Sequence, residues 1–192
     1  PDVPVKSLAD VIATTKSKPG ELSFASFGAG TSPHIAIERL KSEAKIDVLH
    51  IPYKGQAPAL NDLLGGHVDM MFANTPDVLP HVKSGKLRAI ALANDARLES
   101  IPDVPTFKEA GVDNMNSNSW YGVIVPSGTP APIVEKLSAE FVRIVNLPEI
   151  RERLLAQGLE PAGTTSAEFA EYLKSEMEMA ATVVKASGAS VQ

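Results

Sequence analysis

The sequence predicts an α/β fold with a parallel-rich sheet flanked by helices, and two observations carry that prediction. Short β-branched or aromatic apolar runs alternate with amphipathic stretches of helix length. The runs are also apolar at nearly every position rather than at every second one. Strands covered by helices on both faces have that pattern, and sheets of such strands are parallel.

Lys6 to Lys16 reads as a helix, with Leu8, Val11 and Ile12 on one face, Ser7 as N-cap and Pro19-Gly20 as its stop. Leu22–Phe27 reads as a strand, and Pro33–Ala44 as a helix capped by Ser32. Val48–Tyr53 is a strand, Ala57–Leu64 a helix closed by Gly65-Gly66, and Val68–Phe72 a strand holding the core residues Met70 and Met71. Asp77–Lys83 is a short helix, and Leu87–Ala93 a strand apolar almost throughout.

The pattern changes at Asp95–Asn118, a stretch of Pro, Gly, Asn and Ser with one short helix near Phe107–Ala110. Trp120–Val125 is a further strand. Thr129 caps, and Pro130 opens, a helix reaching Val145. Pro148–Gln157 is another helix, Leu159–Ala162 a candidate strand, and Thr165–Glu168 a capping box for the last helix. Trp120–Val125 is an orphan: a lone strand cannot satisfy its own backbone groups, so it must join a sheet.

The bulk numbers narrow the function. The chain has 192 residues, 44% hydrophobic and 21% charged, enough for one large domain or two small lobes. Its net charge is −5, without a basic stripe, so no nucleic-acid partner is expected. No apolar run approaches the ~20 residues needed to span a bilayer. Pro1-Asp2-Val3-Pro4 opens no signal peptide. Cysteine is absent, which excludes disulfides, thiol catalysis and cysteine metal sites.

The candidate site is the run LSFASFGAGTSPH, residues 22–34. Gly28 and Gly30 tolerate positive φ and let backbone approach a ligand closely. The free N–H groups of the following helix, with the hydroxyls of Thr31 and Ser32, suit an anion such as a carboxylate or a phosphate. A plain tight strand-to-helix turn fits the same residues. The dinucleotide fingerprint needs a glycine where Pro33 stands, and no P-loop lysine follows. Two more polar loops follow strand ends, Pro52–Gln56 with Tyr53 and Asn74–Asp77 with Asn74. In open α/β sheets ligands bind beyond those ends.

Catalytic patterns are missing. There is no GxSxG elbow, and His34, His50, His67 and His81 show no metal-ligand spacing. His34 could assist a carboxylate or pack; His50 reads as a structural histidine. Asp62 and Asp69 read as surface or element-end residues. The reading is a binder of a small anion, not an enzyme, with no cofactor and no metal. The rival is an α/β enzyme that holds a phosphate-bearing cofactor at the Gly28–Gly30 loop. A third possibility is a sensory or regulatory domain with the ligand as effector.

The stretches FASFGAGTSPH (Phe24–His34), HIPYKGQAPALNDLLGGHVDMMFANTP (His50–Pro76), SGKLRAIAL (Ser84–Leu92), IPDVPTFKEAG (Ile101–Gly111), SWYGVIVPSGTP (Ser119–Pro130) and Gly158–Pro161 together resemble the substrate-binding receptors of tripartite tricarboxylate transporters, the TctC or Bug family. The resemblance covers nearly the whole chain. It implies a type II periplasmic-binding-protein fold, with two hinged α/β lobes closing on a dicarboxylate, tricarboxylate, acidic amino acid or aromatic acid. It implies a periplasmic receptor that hands its ligand to membrane transporter subunits. By the same resemblance Gly28, Ala29, Gly30, Thr31 and Ser32 form the second lobe's carboxylate loop.

The resemblance also divides the chain. Residues 1–118 correspond to the second lobe and 119–192 to a return into a first lobe, whose opening strand and Pro-Pro-Gly-Gly-type loop have no counterpart here. Trp120–Val125 would pair with that part. A homodimer through the incomplete first lobe is a further expectation. Ala73 stands where many relatives carry an acidic residue, which points to a simple carboxylate rather than an amino acid.

Overall fold

Three parallel strands in the order β2-β1-β3 organise the first half of the computed structural model, which describes residues 3–117 and 119–187. Asn118, the expected lobe boundary, lies outside the described residues, as do Pro1, Asp2 and residues 188–192. Helix α1 (Leu8–Ser17) starts at a local box: Asp10 N–H donates to Ser7 Oγ, and Lys6 N–H to the Asp10 carboxylate. Strand β1 (Ser23–Ser26) is buried at all four positions and lies centrally. Helix α2 (Ser32–Ala44) leads to β2 (Leu49–Pro52). Helix α3 (Gln56–Leu64) leads back past β1 to β3 (Met70–Met71), and α4 (Thr75–Lys83) follows.

Alternation along β1 sorts the core into two layers. Phe24 joins Leu8, Val11, Ile37 and Leu40, from α1 and α2. Ala25 joins Ala59 and Val68, from α3 and the approach to β3. The two crossover helices therefore cover opposite sheet faces. The strand order reverses at β1, and the crevice beyond the carboxyl ends of β1 and β3 is a topological switch point.

The second half is helical: α5 (Ala131–Val145), α6 (Pro148–Ala156) and α7 (Ser166–Ser187). Thr165 and Glu168 form the expected capping box, and α7 packs against α5 and reaches α2. Trp120 lies edge-on to Phe169, centroids 5.3 Å apart. Among the described residues no helix is long and apolar enough to cross a membrane.

Three expected strands do not form. Leu87–Ala93 makes only an isolated parallel bridge, Leu92 to Thr106, because the Leu92 backbone bonds Pro105 and Phe107 in a loop rather than a neighbouring strand. Trp120–Val125 pairs with no described strand, and its Tyr121 and Ile124 are 68% and 80% exposed. Leu159–Ala162 likewise lacks a ladder. Phe107–Ala110 is a turn rather than a helix. Two caps shift by one residue: Thr31, not Ser32, is the N-cap of α2, and Pro130, not Thr129, that of α5.

Candidate functional site: a glycine loop at the sheet's carboxyl edge

The loop after β1 takes its shape from two left-handed glycines, Gly28 at φ +136° and Gly30 at φ +78°. Gly28 N–H donates to Ser26 Oγ at 3.2 Å. The Thr31 hydroxyl donates to the Gly28 carbonyl at 2.7 Å, and Thr31 N–H reaches the same oxygen at 3.3 Å. Gly30 N–H donates to His34 Nδ1 at 2.9 Å. The second strand zips onto this loop: Tyr53 N–H donates to the Ser26 carbonyl and Gly55 N–H to the Phe27 carbonyl.

These bonds leave specific donors over. Thr31 makes no side-chain cap, and the N–H groups of Ala29, Ser32 and His34 meet no acceptor among the described residues. Three unused N–H groups around the positive end of a thirteen-residue helix are what a small anion needs. The expectation that the Thr31 hydroxyl donates to a ligand changes: its proton is spent on the Gly28 carbonyl.

The other two sequence-nominated residues diverge. The Tyr53 hydroxyl donates to the Asp62 carboxylate at 2.7 Å, and that bond, with burial second, raises its pKa above the ordinary tyrosine value. Tyr53 is thus committed to α3, and Asp62 is its partner rather than a bystander. Asn74 is the N-cap of α4. Its backbone N–H approaches Gln56 Oε1 at 3.4 Å, and its Oδ1 accepts from the Ser119 hydroxyl at 2.9 Å. The side-chain amide N–H groups of Asn74 meet no acceptor among the described residues. Ser32 and Asn74 both line a cavity of about 1560 Å³, which residues of the strand ends and of the return segment share. The wall mixes apolar residues such as Trp120, Val123, Leu137 and Phe141 with polar ones such as Arg88, Asn94 and Thr165, and the volume exceeds that of a ~300–1,000 Å³ ligand pocket.

One cluster escaped the sequence reading. Beneath the loop His34 stacks on His50, centroids 4.1 Å apart and 8° from parallel, and His50 Nε2 lies 2.7 Å from Ser26 Oγ. Burial, then the charge His34 would bring, pulls the His50 pKa below its usual value. Ser26 and His50 are spaced like a nucleophile and its base. Ser26 is fully buried, however, and its hydroxyl is bonded to the Gly28 backbone, so no substrate atom reaches it. Among the described residues there is also no metal-competent cluster of His, Asp or Glu.

Comparison with known proteins identifies the family and the fold. The family described as the tripartite tricarboxylate transporter family receptor, TctC, matches residues 1–189. The chain belongs to this family. A relative encoded between tcbD and tcbE in Pseudomonas sp. strain P51 is 36% identical over 90% of this chain and 52% of its own length. BugT of Bordetella pertussis is 33% identical over 100% of this chain and 59% of its own. Two solved structures superpose closely. Rpa4515 of R. palustris with adipate has a TM-score of 0.93 at 30% identity, covering 98% of this chain and 63% of that one. MatC of Rhodopseudomonas palustris with bound malate has 0.83 at 32%, covering 94% and 63%. The fold of this TctC chain is that of the periplasmic binding proteins, and it spans a little over half the length of these curated relatives.

Proposed function

We propose that this TctC chain supplies the carboxylate-gripping lobe of a periplasmic solute receptor, which delivers a small di- or tricarboxylate to a tripartite transporter. The observation that carries the reading is the set of unused N–H groups at Ala29, Ser32 and His34, aimed from a helix N-terminus beyond the switch point of a parallel sheet. Asn74 adds two amide protons from the neighbouring strand end. The relatives crystallised with adipate and malate supply the ligand class. Residues 3–117 act as one lobe, and the segment from Ser119 returns toward the other.

Calorimetry on the full-length protein with adipate and malate tests this. Ser32→Pro deletes two donors, the backbone N–H and the side-chain hydroxyl, while suiting the helix, because Thr31, at φ −76° and ψ 161°, already has the extended backbone a following proline requires. The variant should bind at least one of these acids about tenfold more weakly while its helix content is unchanged. Unchanged affinity would remove the loop from the site.

The apolar surfaces of Trp120–Val125 and of α5, where Ile133, Leu137 and Phe141 are exposed, support self-association of the chain as it stands. Light scattering should find a dimer or larger species for residues 1–192; a monomer would refute that part.

A further inference from the structure

We propose that the stacked imidazoles of His34 and His50 are positioning residues of the glycine loop. In this view they hold its N–H groups in the anion-binding arrangement while neutral, and release them when the pair gains a proton. The inference rests on the carboxylate reading only for its ligand arm.

The geometry ties both glycines to the pair. His34 Nδ1 accepts from Gly30 N–H, so that nitrogen is unprotonated and the ring's proton sits on Nε2. On the other side His50 meets Ser26 Oγ, the same oxygen that takes Gly28 N–H. The loop is therefore held at Gly28 through Ser26 and His50, and at Gly30 through His34, and the two holds touch through the ring stack. Ala29, whose N–H is unused, lies between the held positions, and Ser32, also unused, two residues beyond Gly30.

Protonation undoes one hold directly. A proton on His34 Nδ1 would face the Gly30 N–H, donor against donor. The Gly30 peptide, free to rotate because glycine accepts either sign of φ, would turn away. The neighbouring N–H groups would turn with it. The stack also resists a second proton, since two imidazolium rings 4.1 Å apart repel strongly. The charged groups acting on His50 are His34, Glu38 and Lys41, all on α2. Glu38 favours the charged ring; His34 and Lys41 oppose it, and burial outweighs each of them. A proton is thus disfavoured on His50, and the loop loses its hold where one reaches His34 Nδ1.

A direct proton donor to the ligand is the opposite possibility, and the sign of the pH dependence separates the two. With 15N-labelled full-length protein, imidazole nitrogen shifts at about pH 8 should show His34 protonated on Nε2 and bare on Nδ1. From about pH 8 to 5.5 the Gly28 and Gly30 amide resonances should move in step with the His34 and His50 ring signals. In His34→Gln the Gly30 part of that movement should vanish while Gly28 still follows His50, and in His81→Gln both should persist. Malate affinity of the wild type should fall about tenfold more over the same range than that of His34→Gln, the ligand's own titration being common to both. A proton on His34 Nδ1 at high pH, or loop amides indifferent to the ring titration, would overturn the proposal. So would malate affinity that rises with acid in the wild type alone. If malate binds at no pH, the carboxylate reading fails in this respect while the nitrogen and amide shifts still decide the clamp.

Discussion

Gly28 lies against the backbone carbonyl of Tyr53, so that a Cβ placed on Gly28 would come within 3.3 Å of that oxygen. The contact is a consequence of β1 and β2 zipping together past their strand ends, and backbone cannot yield as a flexible side chain would. Gly28 also holds φ +136°, a conformation that L side chains rarely adopt. Gly28→Ala should therefore cost about 1–3 kcal/mol in denaturant unfolding. Gly55→Ala is the informative comparison, since φ is +112° there but no atom lies within 4 Å of the added carbon. If Gly28→Ala costs no more than Gly55→Ala, the close approach to Tyr53 contributes nothing.

Asp69 fastens the start of the central strand. Its carboxylate accepts from Ser23 N–H at 2.8 Å and from Ser23 Oγ at 2.7 Å, while Asp69 N–H donates back to Ser23 Oγ at 3.0 Å. Ser23 is buried, so losing the carboxylate leaves polar groups unsatisfied. Asp69→Ala should cost about 1–3 kcal/mol, and Asp69→Asn, which keeps one acceptor, distinctly less. Equal losses in urea unfolding would show that the carboxylate's hydrogen bonding is not what holds β1 to the approach of β3.

What the sequence revealed divides by how local the signal is. The helices were legible because their caps lie within four residues: Ser7 with Asp10, Thr165 with Glu168. The glycine loop was legible for the same reason, since positive φ is a property of one residue. Strands were harder, because an apolar run such as Trp120–Val125 becomes a strand only if a partner edge lies beside it, and nothing in the run records whether one does. The site residues show the same divide. Tyr53 looked available for a ligand until its hydroxyl was found on Asp62, and the histidine clamp joins Ser26 to a residue 24 positions later. A histidine four residues after Gly30, in the first turn of a helix, was the one local sign that an amide might be captured there.

Tyr53 should prove dispensable for ligand. Because its hydroxyl is committed to Asp62, Tyr53→Phe should leave malate affinity within about twofold and stability within about 1 kcal/mol. The titration of the phenol checks the partner independently. The hydrogen bond to the Asp62 carboxylate favours the protonated phenol and raises its pKa, so Asp62→Asn should bring the Tyr53 titration down toward the ordinary value. Ultraviolet difference spectra from neutral to alkaline pH would read this. A Tyr53 titration that Asp62→Asn leaves in place would mean the hydroxyl faces elsewhere and that the ligand role should be restored.

The last helix is set by Thr165 and Glu168, and its dependence on acid has a definite sign. The Glu168 carboxylate accepts from Thr165 N–H and from the Thr165 hydroxyl, both at 2.8 Å. The backbone N–H first, and the hydroxyl second, hold its pKa below the usual glutamate value of 4.5. A carboxyl with a lower pKa folded than unfolded stabilises fully above the unfolded value, and that contribution disappears as pH falls through the folded one. The start of α7 should therefore loosen as pH falls below about 4.5, whereas neutral solutions keep it intact. Thr165→Ala removes the hydroxyl that both caps Glu168 N–H and donates to its carboxylate, and should cost about 1 kcal/mol at neutral pH. Amide exchange of residues 166–169 reads the effect at the helix start itself. Protection there that is the same at pH 7 and below 4.5, in both wild type and Thr165→Ala, would mean that α7 is held by its packing on α2 and α5 and not by its cap.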